Sequence, residues 1–212
     1  MADDIQIPQT KFSPHPATTC AARCVDVIDP GPVVTRNFKD KDGNLQPPKL
    51  VQKTVFVFQS GKVNPETKRP YEVSVEHTQS MADNANLRKF LVSWFGGYDS
   101  IPEGARKGKL GVLEGASALI TVAHKKSQKG NEYAIVPSIC PIPEGMTAPT
   151  LPSYTRAPYW AERKAERQKE ADAFLKQDTP EAQKFAKPLP PELAKDFEQV
   201  PPALEGDDDL PF

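Results

Sequence analysis

Cysteine is scarce in this chain, with three residues among 212: Cys20, Cys24 and Cys140. So small and odd a number excludes a disulfide framework and points to a reducing compartment. Long apolar runs are missing as well. No stretch of about 18 apolar residues occurs, so no transmembrane helix is expected. The first ten residues, MADDIQIPQT, carry acids where a secretory signal has an apolar segment. No Gly-rich phosphate loop, serine elbow or pair of metal-binding carboxylates appears. The chain therefore reads as a non-enzyme with no cofactor. Its expected setting is the cytoplasm.

A zinc site is the one metal centre the residues suggest. Cys20 and Cys24 lie four apart, and His77 and Cys140 could complete four ligands. There is no second close pair, however, and buried small cysteines explain the same residues. No metal is assigned.

Charge of one sign does not dominate, since 27 basic residues face 28 acidic ones. The balance is uneven along the chain. Up to Met146 there are 18 Lys and Arg against 15 Asp and Glu; after it there are 9 against 13. A mildly basic body thus precedes an acidic tail. Proline is plentiful, and 10 of the 23 prolines follow Met146, which favours extended chain there.

Residues 1–16 are polar and proline-rich and read as a flexible arm. Residues 17–29 are β-rich and end at Asp29-Pro30-Gly31-Pro32. LVQKTVFVFQS reads as a second strand and YEVSVEH as a third. The period then changes. Leu87, Phe90, Leu91 and Trp94 follow at helical spacing, Asp83 or Asn84 offers a cap, and Gly96-Gly97 stops the helix. ASALITVAHK and EYAIVPSI form a closing hairpin. This order, β-β-β-α-β-β over residues 17–146, predicts a mainly β OB-fold-like five-stranded barrel with one internal helix. Residues 147–206 read as a Pro-rich linker holding a charged helix at about 158–177, with i, i+4 ion pairs and a thin apolar stripe.

The chain ends Asp207-Asp208-Asp209-Leu210-Pro211-Phe212. This closely resembles the acidic tip of bacterial single-stranded DNA-binding proteins, with Leu where Ile is commoner. The body resembles bacteriophage-encoded OB-fold members of that group more loosely, through Asn86 to Leu91 with Trp94, and through Ala134-Ile135-Val136 leading into Pro141-Ile142-Pro143. The resemblance implies an OB-fold, a disordered linker, and a tip that recruits host or viral replication, recombination and repair enzymes. The physics suits that role. A terminal Phe can bury its ring while its carboxylate meets a cation, and the aspartates steer toward a basic patch.

Single strands bind where cations line a groove and rings stack on bases. The resemblance places that groove on strands two and three and the adjoining loops. The candidates are Arg36, Phe38 and Lys39 in the first loop, and Lys49, Lys53 and Phe56 along the second strand. Lys68, Arg69 and Tyr71 follow at the next turn, with Lys125, Lys126, Lys129 and Tyr133 at the last hairpin. For Phe56 a place in the core competes with stacking. The expected partners are single-stranded DNA and, through residues 207–212, other proteins; a homo-oligomer is compatible. The alternative is a protein-interaction adaptor that mimics the tip without coating DNA.

Overall fold

The computed structural model describes residues 14–35, 43–44, 47–127, 130–150 and 153–176. In chain order its elements are β1 (Thr18–Ile28), β2 (Val33–Thr35), β3 (Lys49–Val51), β4 (Lys53–Val63), β5 (Pro70–Thr78), α1 (Asn86–Phe95) and α2 (Glu103–Arg106). A 3-10 turn at Leu110–Leu113, β6 (Ser117–Lys126), β7 (Glu132–Cys140) and α3 (Tyr159–Leu175) complete them. Five strands form one antiparallel sheet in the order β5-β4-β1-β6-β7. The sheet is not closed into a barrel by a further ladder. β2 and β3 make a separate two-stranded ribbon.

LVQKTVFVFQS is therefore not one strand. It breaks at Gln52, because Leu50 and Val51 pair with Val34 and Val33 while Lys53 onward pairs with β5. Alternation alone does not show a change of partner.

One face of the sheet holds the main core. Phe56 and Phe58 from β4, Leu87, Leu91 and Trp94 from α1, and Ile120 from β6 are all buried there. Four rings, Phe56, Phe58, Phe90 and Trp94, meet with centroids between 5.1 and 6.4 Å apart. Burying rings of this size contributes roughly 1.5–3 kcal/mol each. Trp94 also donates its indole N–H to the Ser117 carbonyl at 2.8 Å, which ties α1 to the start of β6. The helix stops where Gly96 turns left-handed at φ 75°, packed against Pro141. Its start differs from the expectation. Ala85, not Asp83 or Asn84, occupies the N-cap position, and as an alanine it makes no side-chain cap bond.

Every residue from Thr54 to Ser60 is buried, so β4 is covered on both faces. The second cover is the segment expected to begin a linker. Trp160 of α3 packs on Ile28, Val55 and Val57, with Tyr154 and Ala157 beside it. Phe174, two residues before the described chain ends, packs on Val34. Ion pairs reinforce the docking: Arg156 with Asp26, Lys164 with Asp29, and Arg167 with Glu76. A helix with a thin apolar stripe stays docked because two aromatic anchors and these pairs do the work of a wider stripe.

Candidate nucleic-acid interface

The sequence candidates divide between the two ends of the sheet. Phe56 is corrected outright. It is 0 % exposed, wedged between Phe90 and Trp94, and offers no face to a base. Lys49 and Lys53 stand at the end of the sheet where β4 begins. Lys49 is exposed, and its backbone carbonyl accepts from the Thr35 hydroxyl at 3.0 Å. Arg36, Phe38, Lys39 and Lys129 lie outside the described residues, as does the tip Asp207 to Phe212.

The opposite end gathers the rest. Here β4 runs into β5 through the turn at residues 64–69, and β6 runs into β7. Asn64 builds the first turn by accepting the N–H groups of Glu66 and Thr67 at 2.8 and 3.1 Å. Lys68 adopts φ 57° there, the single non-glycine residue with positive φ among those described. Arg69 and Tyr71 follow directly. Lys125 and Lys126, both exposed, close β6, and Tyr133 lies opposite Lys125 in the ladder.

His15 joins the two turns. Its ring lies 5.3 Å from that of Tyr71, and its backbone carbonyl accepts from His124 Nε2 at 2.7 Å. His124 also lies 3.3 Å from Glu132. Lys62 reaches the Thr18 hydroxyl at 3.4 Å on the same side. Burial holds the His15 ring below its ordinary pKa. A hydrogen bond to the Pro16 carbonyl opposes that shift, and the charges of Lys62 and His124 add to it.

An open groove of about 830 Å³ leads from His15 and Tyr71 past Arg69 to Tyr159 and Trp160. Tyr159 is half exposed, its ring 4.7 Å from that of Trp160. Tyr159 is an exposed ring on this groove that the sequence candidates do not include. Its signal was the aromatic pair opening an otherwise polar helix. Glu66 and Glu72 line the same groove, so it is not uniformly basic. The outer face of β1, β4 and β5 beyond it carries Asp26 and Glu76, held by Arg156 and Arg167.

Burial pushes the Cys24 thiol up to about 12, and Cys20 is raised by the same cause. His77 packs its ring against Phe90 at 4.5 Å, beside the core. No group of three or more potential metal ligands occurs among the described residues. No helix among them is long and apolar enough to cross a membrane. No protein-family model matches the chain, and no curated protein matches it.

Proposed function

We propose that this protein binds single-stranded DNA without sequence preference and that its acidic tip recruits other proteins. One observation carries the reading. Tyr71 and Tyr159 present rings along one open groove with Arg69, and Lys62, Lys125 and Lys126 stand at the same end of the sheet. Cations that track phosphates beside rings that accept bases are what a non-specific single-strand site needs. The body is proposed as an OB-fold. In its support, β1 pairs with β4 through its second half and with β6 through its first, with a bulge between Cys24 and Asp26. The edge strands β5 and β7 approach each other, and α1 packs against both. A role in replication, recombination or repair belongs to the same proposal on the strength of the C-terminal tip, and a phage-like origin on the looser resemblance of the body.

The carboxylates of Glu66 and Glu72 in the groove favour a second reading, in which the body docks a protein and the chain is an adaptor. Fluorescence anisotropy of labelled oligo-dT separates the two. Full-length protein and a form ending at Gly206 are titrated at low and moderate salt, with duplex as control. Salt-sensitive binding to single strand by both forms is the expected result. No binding by either form overturns the DNA reading in favour of the adaptor.

A further inference from the structure

At the other end of the sheet an open cleft of about 1140 Å³ lies between the β2–β3 ribbon and the helices α1 and α2. Leu50, Val51 and Gln52 form one wall, residues 78–84 the floor, and Arg88, Tyr98 and Arg106 the other wall. Nothing in the reading above uses it.

The far wall is a cation–ring assembly. The Arg88 guanidinium sits 4.1 Å from the centroid of the Tyr98 ring, and the Arg106 guanidinium 5.7 Å from it. Tyr98 is among the few large apolar side chains left exposed, at 36 %. Two guanidiniums are thus held at one ring, on two different helices, with that ring open to solvent.

Their counter-charges are weakly held. Arg88 pairs with Asp83 at 2.7 Å and Arg106 with Asp99 at 3.8 Å, yet both carboxylates are almost wholly exposed. Ion pairs of that kind contribute about 0–1 kcal/mol, so an incoming anion can replace them at little cost. The Nε of Arg106 is buried and has no hydrogen-bond partner among the described residues. That guanidinium is not fully committed to the fold. Arginine forks grip phosphate oxygens in pairs, and a guanidinium stacked on a ring extends a flat surface for a base.

We propose that this cleft is a second nucleotide-binding subsite, with Arg88 and Arg106 holding a phosphate and Tyr98 stacking the attached base of a single strand. The inference rests on the reading of the chain as a single-strand binder. It adds that the strand engages both ends of the sheet, so that the protein covers more nucleotides than the Tyr71 end alone would.

The test uses full-length protein and oligo-dT of about 8 and about 25 nucleotides, spanning a site size of several nucleotides per fold. The variants are Tyr98→Leu, Tyr98→Phe, Arg106→Gln, and the double change Lys125→Gln with Lys126→Gln. Tyr98→Leu is expected to weaken binding to the long strand about tenfold, the loss of one stacked base, while Tyr98→Phe stays within about twofold. Arg106→Gln should lower the salt slope by about one. The lysine double variant should weaken both lengths. Long-strand binding by Tyr98→Leu and Arg106→Gln within twofold of wild type, while the lysine variant weakens, overturns the subsite and leaves the broader reading intact. Absence of wild-type binding to either length overturns both. Melting temperatures close to wild type establish that each variant is folded, and the Tyr98→Phe and Tyr98→Leu pair separates the ring from the packing.

Discussion

Arg156 grips Asp26 with both prongs of its guanidinium, Nε to Oδ2 at 2.8 Å and Nη2 to Oδ1 at 2.6 Å. The two residues are 130 positions apart. Asp26 is buried at the bulge of β1, and its partner comes from the stretch just before α3. A buried carboxylate without a cation costs far more than an exposed one. Arg156→Ala should therefore destabilise the whole fold. Because Arg156 is itself half exposed, the loss should be about 1–3 kcal/mol, below that of a fully buried pair. Urea denaturation reads it directly. A double-mutant cycle with Asp26→Asn should show most of the loss cancelled, and purely additive losses would refute the coupling.

That contact also marks the limit of what the sequence discloses. The strands at Thr18–Ile28, Pro70–Thr78, Ser117–Lys126 and Glu132–Cys140 and the helix at Asn86–Phe95 were legible, because each carries its own period and its own stop signal. The break at Gln52 was not, since pairing partners leave no local trace. The most consequential omission was the outer cover of β4. The sequence leaves Phe56 between core and stacking, and the cover on the other face of β4 shows only in Trp160 lying on Val55 and Val57. A mostly charged helix with two anchors looks solvated in one dimension. For the same reason Tyr159, which lines the same groove, is not among the sequence candidates, whereas Arg69 and Tyr71 are, from their turn.

Phe56 and Tyr71 should separate under mutation. Phe56→Leu leaves a void among Phe90, Trp94 and His77 and should cost about 1–3 kcal/mol, at the mild end of large-to-small core changes. Once folded, that variant should bind oligo-dT as wild type does. Tyr71→Leu should do the reverse, with a small stability loss and affinity lowered about five- to tenfold, in the range for one stacked base. Paired thermal melts and anisotropy titrations give both quantities. A loss of affinity in folded Phe56→Leu would contradict the assignment of that ring to the core.

α3 passes close over Gly31. That glycine has φ 85°, and a Cβ there would stand 3.2 Å from the Lys164 carbonyl oxygen and 3.3 Å from Arg167 Cβ. Gly31→Ala therefore meets a left-handed backbone penalty of about 1–2 kcal/mol and a steric conflict with the helix as well. The expected outcome is a loss of about 1–3 kcal/mol, concentrated in α3. Amide exchange across residues 159–175 should quicken while that of β6 and β7 stays close to wild type. Uniform acceleration over the whole molecule would show that α3 does not open separately.

His15 gives the fold a dependence on pH whose direction is fixed by its contacts. Its Nδ1–H must donate to the Pro16 carbonyl, at 2.8 Å, because a carbonyl only accepts. In the neutral ring Nε2 then accepts from the Ser60 hydroxyl, also at 2.8 Å, and that oxygen in turn accepts the Lys62 amide N–H at 3.3 Å. Burial, foremost, and the nearby charges of Lys62 and His124 hold the folded pKa below the ordinary value. The unfolded chain takes up a proton near pH 6.5, before the folded chain does. Between those two values the unfolded state binds more protons, so stability falls as the pH drops. The contribution is complete above about pH 6.5 and declines steadily below it. His15→Gln, which can donate to Pro16 and accept from Ser60 without titrating, should lose less stability on acidification than wild type. Urea midpoints at about pH 8, 6.5 and 5.5, bracketing the ordinary histidine value, check this. Parallel declines in the two proteins would assign the acid sensitivity to other groups. A steeper decline in wild type would place it at the histidine that closes the turn end of the sheet.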